Sequence, residues 1–416
     1  MRLYNTLSQR IDGFAPKSPV SVYFCGITPY DTTHLGHAFT YTSLDTLIRF
    51  LEFRGHRVRY VQNVTDIDDD ILRKAKEVGE NWKALGDRWT AHFIRDMMAL
   101  NVRPPDFFPR ATDYIPQILG VVQRLVDSGV AYESSGSVYF HIDSWPSYGK
   151  LSCLPRDEML AIANERGNHP DDPNKRDPLD FVLWQASTPG EPSWDALWGP
   201  GRPGWHIECS TMAMHLLGTT IDIHSGGSDL AFPHHESEIA QAEGATGQAP
   251  FVRCWVHTAM VRHDGEKMSK SLGNLVMVDD LLKEWSPDAL RLYLAQHHYR
   301  AVWSHNLQEL ERAAALARKL AGAAVVPGGP ENALDPTGIE EAFVHALDND
   351  LETPGAIHHL EQLADAIADA AQAGQDVASA KRMLRSMSSV FGLRLNRREP
   401  DQVVMQGWGR FLSEFE

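Results

Sequence analysis

Apolar and polar positions alternate along this chain in a strand–helix rhythm. Residues 21–27, SVYFCGI, are an apolar run that predicts a strand ending in the turn ITPYD. Residues 38–53 place Leu44, Leu47, Ile48 and Leu51 on one helical face. RVRYVQNVT (57–65) predicts the next strand, and 71–101 a helical run. Such a rhythm predicts a parallel, nucleotide-binding α/β sheet. A loop at 104–112, a helix near 113–129 and a hairpin at 131–142 follow. The segment 143–200 is rich in Pro, Gly and Asp, which predicts an insertion of irregular structure between halves of the sheet. Strand-and-helix texture returns at 216–258. From about 306 three apolar faces recur at helical spacing: Leu307, Leu310, Ala314, Ala317 and Ala321; Ile357, Leu360, Leu363, Ala364 and Ile367; Met383, Leu384, Met387 and Phe391. With the loop at 326–338 they predict an antiparallel bundle of about four helices.

Bulk composition narrows the class. At 416 residues the chain exceeds one typical domain, so two or three are expected. A hydrophobic content of 43% with 23% charged residues fits a soluble globular enzyme. No apolar run could span a bilayer and the N-terminus has no signal core, so a cytoplasmic protein without membrane contact is expected. Cys25, Cys153, Cys209 and Cys254 lie far apart without paired spacing, which predicts free thiols. The net charge of −16 argues against a generally nucleic-acid-coated surface, while leaving room for a local basic groove.

Two short segments carry chemistry. HLGH (34–37) sits where the first strand hands over to its helix, at an N-terminus whose free N–H groups and dipole favour an anion. Gly36 would let phosphate approach the backbone, and His34 and His37 could contact its oxygens; the alternative is two surface histidines on a loop. DGEKMSKSLGN (264–274) offers Lys267 and Lys270 on a cationic loop suited to polyphosphate, where positive charge would stabilise a departing pyrophosphate. Alone it could be a solvated basic loop. Together, on an α/β background, the two resemble the signature of class I aminoacyl-tRNA synthetases. Thiols add a third feature. Cys25 ends the first strand, Cys209 lies in GRPGWHIECS, and His234 and Glu238 are i, i+4 in FPHHESEIAQ, on one face if that segment is helical. Two Cys, one His and one Glu make a plausible tetrahedral zinc shell, although the spacing is not a compact finger pattern and each residue singly reads as structural.

As a set, CGITPYD, HLGH, NVTDIDD, EPSW, GRPGWHIECS, GGSDLAFPHHESEIAQ and KMSKSLGN resemble cysteinyl-tRNA synthetases in content and order, from about residue 2 to 395. The resemblance implies an α/β, Rossmann-like (HUP-type) parallel-sheet catalytic domain with an inserted subdomain, followed by an α-helical bundle. It implies catalytic halves at 1–112 and 201–258, a connective insertion at 113–200, a KMSKS and stem-contact region at 259–305, the bundle at 306–395 and a short tail at 396–416 without a full anticodon-binding domain. It also implies activation of L-cysteine by ATP with Mg2+. His34, Gly36, His37, Lys267 and Lys270 would handle ATP, and Thr65, Trp205 and Asp229 would surround the cysteine amine and carboxylate. One Zn2+ would be held by Cys25, Cys209, His234 and Glu238. Thiolate binding to that metal would select cysteine over serine without an editing domain.

The implied acceptor is the 3′ end of tRNA(Cys), with a monomeric enzyme. A short sister group shares the catalytic core and joins cysteine to the amine of glucosaminyl-inositol in mycothiol synthesis. ITPYDTTHLGHA, NWKALGDR, ERGNHPDDPNK and VHTAMVRHDGEKMSKS resemble that group, whereas Glu238, DPLDFVLW and GWHIECSTMAM resemble the tRNA enzyme. A non-catalytic nucleotide- or tRNA-binding paralogue is the third reading, and intact phosphate motifs and zinc-shell residues count against it.

Overall fold

A computed structural model describes the whole chain except residues 31–32, 269–272, 331, 396, 398, 416 and the Lys267 side chain. Four parallel strands form the central sheet, in the order Val252–Thr258, Ile221–Gly227, Val20–Ile27, Val58–Val64. Both faces are covered, so the strands are apolar almost throughout, with Val22, Phe24, Val61, Ile223 and Trp255 buried. Val20–Ile27 comes first in the chain yet lies between its successors. The sheet therefore has a topological switch point beside it, where open α/β sheets bind ligands at their C-terminal ends.

The first helix spans Leu35–Phe53, starting three residues earlier than the apolar periodicity predicts, because His34 caps it with its own side chain. The expected helical run at 71–101 is two helices, Asp69–Val78 and Trp82–Ala99. Gly79 adopts φ 68 and ends the first, and Asn81 caps the second by accepting from Lys83 and Ala84 N–H.

The segment expected to be irregular is more ordered than its composition predicts. It holds the helix Arg156–Glu165 and the strand Phe181–Ala186. That strand joins Ala131–Ser134, Ser137–Phe140 and Gly201–Pro203 in an antiparallel sheet. Prolines and glycines bound the strand rather than interrupt it, and Leu183 and Trp184 anchor a separate core with Val138 and Phe140.

Four helices, Leu307–Ala323, Thr337–Asp348, Thr353–Gln372 and Ala378–Val390, follow. The predicted faces are buried, except that Leu307 is 57% exposed at its helix start and Met383 is only partly covered. The tail adds the helix Gln402–Leu412, which folds back onto Trp82–Ala99. There Trp408 donates to the Val102 carbonyl at 2.9 Å and packs edge-on against Phe93 and Phe108. Among the described residues no helix is long and apolar enough to cross a membrane.

Bundle and sheet domain are joined through a buried ion pair. Arg291, from the helix Pro287–Ala295, pairs with Asp45 of the first helix and also donates to the carbonyls of Leu100 and Phe391. Gly392, at φ 63, leaves room for it: a Cβ there would lie 2.7 Å from the guanidinium carbon. Asp45 accepts in addition from Arg49 and from the Arg103 N–H, both at 2.8 Å. Asp45→Ala strands the Arg291 charge in the core and should destabilise the protein by about 3–5 kcal/mol. Chemical denaturation followed by circular dichroism measures this, and an unchanged midpoint would refute the role given to the pair.

Candidate functional site

Cys25, Cys209, His234 and Glu238 come from three distant segments and meet at the C-terminal end of the central strand. Cys25 lies near the end of Val20–Ile27, and Cys209 lies in the helix Trp205–Leu217. His234 belongs to a wide, π-type turn at Ala231–His235 that leads into the helix Glu236–Thr246, which carries Glu238. The i, i+4 spacing therefore straddles a turn and a helix rather than one regular helix, but it still brings the His234 ring to Glu238. One ligand atom from each of the four lies within 4.8 Å of the others. The two sulfurs are 3.9 Å apart, Cys25 Sγ is 3.6 Å from Glu238 Oε1, and His234 Nε2 is 3.2 Å from the same oxygen. A tetrahedral zinc site with bonds of about 2.0–2.3 Å has ligand–ligand edges of roughly 3.3–3.8 Å. The donor set fits that metal in type, and its three edges of 3.2–3.9 Å bracket that range.

Electrostatics point the same way. Burial drives the Cys25 thiol and the Glu238 carboxyl well above their ordinary values, since neither charge has water around it. Burial drives His234 down, and neighbouring His206 and His224 add to the effect. A divalent cation would supply the countercharge that the thiol and carboxyl lack.

Sequence reasoning missed the histidines around this cluster. His224 Nε2 lies 3.0 Å from Glu238 Oε2, and His235 Nε2 lies 3.3 Å from Cys25 Sγ. His235 Nδ1 continues to His257 at 2.7 Å, and His257 to the Thr6 hydroxyl at 2.7 Å. His206 meets His234 at 2.9 Å through their Nδ1 atoms. Burial lowers His206, His224 and His257 to about 3, so all three rings are neutral at physiological pH. A polar ring inside the otherwise apolar strands IDIHSGG and VRCWVHT was the available signal. Cys25, His224, His235 and Glu238 form a second, overlapping donor group.

Of the residues expected around the amino acid, Trp205 and Thr65 adjoin the cluster. Trp205 stacks on His234 with ring centroids 4.3 Å apart. Thr65 accepts from Asn63 Nδ2 at 3.2 Å, and Asn63 Oδ1 is 3.6 Å from Cys209 Sγ. Gly26 is required here, because a Cβ would lie 1.5 Å from the Asn63 carbonyl oxygen. Asp229 sits in the turn Ser228–Leu230, where its carbonyl accepts from Arg166 of the insertion at 2.7 Å. Its carboxylate is 3.7 Å from the same guanidinium, a partner that sequence reasoning did not find.

HLGH differs from expectation in one respect. The N–H groups at the helix start are not free. Gly36 and His37 N–H both donate to His34 Nδ1, at 3.1 and 3.4 Å, and Leu35 N–H donates to the Val276 carbonyl. The two imidazoles stack 3.7 Å apart. A Cβ on Gly36 would touch the His34 ring at 3.0 Å and lie 3.7 Å from Met268 Cε, so the KMSKS segment begins beside HLGH. Backbone pairing of His34 with Met277, and of Val278 N–H with the Thr33 carbonyl, holds the two together. Lys267 contributes backbone to the short strand Glu266–Lys267, and Lys270 lies outside the described residues.

Residues 14–315 match the family model described as tRNA synthetases class I (C) catalytic domain, and residues 342–396 match the DALR domain. The L-cysteine:1D-myo-inositol 2-amino-2-deoxy-alpha-D-glucopyranoside ligase of Thermomonospora curvata is 42% identical, over 95% of this chain and 94% of its own. The cysteine--tRNA ligase of Dehalococcoides mccartyi is 41% identical, over 96% of this chain and 88% of its own. Among solved structures, Mycobacterium tuberculosis methionyl-tRNA synthetase in complex with methionyl-adenylate is similar in fold, with a TM-score of 0.64 and 16% identity over 96% of this chain and 93% of that one.

The self-capping of the first helix is testable. His34→Ala should cost about 1 kcal/mol and accelerate hydrogen exchange at the Gly36 and His37 amides. Unchanged exchange at those two amides would show that His34 does not hold them.

Proposed function

Because the chain belongs to the class I tRNA synthetase family that contains the cysteine ligases, we propose that it activates L-cysteine with ATP and transfers the cysteinyl group to an acceptor. The observation that carries this reading is the buried Cys25–Cys209–His234–Glu238 donor set, in a chain where HLGH also meets the start of the KMSKS segment. Those four residues would hold the metal, with Trp205, Thr65 and Asp229 around the amino acid. Zinc, when bound, supplies a soft Lewis acid that prefers a thiolate to a hydroxyl.

In this reading His34, Gly36 and His37 meet the ATP phosphates across from Lys267 and Lys270. A cysteine carboxylate oxygen attacks the α-phosphorus, the bond to the β-phosphate oxygen breaks, and pyrophosphate leaves with the electron pair. Lysine charge stabilises that departing group. The acceptor nucleophile then attacks the cysteinyl carbonyl and AMP leaves.

For the acceptor we place the 3′ end of tRNA(Cys) first, supported by Glu238, whose carboxylate sits among the metal-ligating atoms as the resemblance to the tRNA enzyme implies. A second reading, the amine of an aminosugar-inositol, is supported by the ligase of that name at 42% identity along nearly its whole length.

Three measurements test the proposal. Purified protein should carry about one zinc per chain, as a four-ligand protein site holds a single ion, and Cys209→Ser should abolish cysteine-dependent ATP–pyrophosphate exchange. His37→Ala should slow that exchange roughly 10²-fold with little change in cysteine affinity. Active protein without zinc, or normal exchange in both variants, would remove these roles. For the acceptor, labelled cysteine is offered with tRNA(Cys) and with glucosaminyl-inositol in parallel. Label is expected on tRNA, in a reaction steeply inhibited by salt because the grip on a polyanion is electrostatic. Label confined to the sugar fraction would install the second reading.

A further inference from the structure

Tyr23 lies two residues before Cys25 on the central strand, so both side chains project from the same face. It is fully buried, and its strand register pairs it with His224, with ring centroids 5.0 Å apart. Its hydroxyl makes no well-formed hydrogen bond among the described residues, with Cys209 the side chain near enough to act as its partner. Buried tyrosine hydroxyls normally find one, and leaving a donor unpaired away from water is costly. Cys25 shares its strand face, the His224 ring that it meets lies 3.0 Å from Glu238, and Cys209 lies 3.9 Å from Cys25. The orphan hydroxyl therefore faces the donor cluster.

Charge explains what it would do there. Two thiolates and a carboxylate bring three negative charges to a doubly positive ion, and a substrate thiolate would bring a fourth into a site without water. Such excess is relieved by neutral hydrogen-bond donors around the ligands. Glu238 has one in reach, since His224 Nε2 lies 3.0 Å from its second oxygen. For Cys209 the described neighbour is Asn63 Oδ1, which already accepts from the Gly26 N–H at 2.9 Å and cannot donate. A thiolate at Cys209 needs a donor, and the Tyr23 hydroxyl needs an acceptor.

We propose that Tyr23 is a positioning residue for the metal site, donating its hydroxyl to the Cys209 thiolate and thereby letting the site accept the substrate's thiolate as a further ligand. The inference rests on the zinc-dependent cysteine reading given above. Hydroxyl and thiolate exchange no proton in this role, and no bond is made or broken.

The test uses the full-length protein with Co2+ replacing zinc, so that cysteine binding is read from the sulfur-to-cobalt charge-transfer band. Tyr23→Phe keeps the ring and its packing. It should raise the cysteine dissociation constant about tenfold and shift the band, while ATP affinity and the thermal unfolding of the metal-free protein stay unchanged. A wild-type protein with no cysteine-dependent band would overturn the functional reading and this assignment with it. A normal wild-type band with the same affinity and band position in Tyr23→Phe would overturn the Tyr23 assignment alone. Loss of cysteine affinity matched by an equal drop in metal-free unfolding temperature would assign Tyr23 to packing instead.

Discussion

Everything at the centre of this molecule answers to one constraint: four side chains able to hold a metal ion, contributed from residues 25, 209, 234 and 238, are buried together away from solvent. Neither a thiol nor a carboxyl is at ease there, and both are pushed away from their charged forms. A parallel sheet solves the geometric half of the problem, because Val20–Ile27 and Ile221–Gly227 run side by side and end at the same edge. The helices Trp205–Leu217 and Glu236–Thr246 then approach that edge from the neighbouring connections. The chemical half is met by neutral imidazoles ranged around the cluster, one of which, His235, passes its hydrogen bond outward through His257 to Thr6.

Period and motif made much of this legible. Strands at 21–27 and 57–65 and the bundle faces follow from apolar spacing, since each element buries a continuous stripe. The donor set followed from residue type and resemblance. What escaped was set by tertiary context. Phe181–Ala186 is flanked by the turn-forming residues that made its surroundings look irregular, and it is a strand because Ser137–Phe140 offers it an edge. The histidine shell escaped because a lone histidine in an apolar strand carries no period of its own. Arg166 escaped because its meeting with Asp229 spans the insertion and the catalytic sheet, a contact that no local pattern encodes.

Bundle and tail do more than extend the chain. Arg291, Asp45 and Gly392 tie the last bundle helix to the first helix of the sheet domain, so its position relative to HLGH is held by buried charge rather than by surface contact. On the outer side, Arg110 sits 3.9 Å above the Phe415 ring and donates to the Glu414 carbonyl. Its backbone pairs with Val64, next to Thr65. The tail therefore reaches, through one arginine, the strand end that carries a candidate substrate contact.

A helix that caps itself is a latched receptor. With His34 Nδ1 already holding two N–H groups, any anion that takes them must first turn the imidazole away. The apparent affinity is then lowered by the free energy of the cap, about 1 kcal/mol or a factor of roughly five. A weakly charged competitor such as free inorganic anion gains too little to open the latch, whereas a polyphosphate gripped from several sides does. If phosphate binds at HLGH as proposed, selectivity for multiply held anions would begin in the resting protein, through a histidine that occupies the anion's seat.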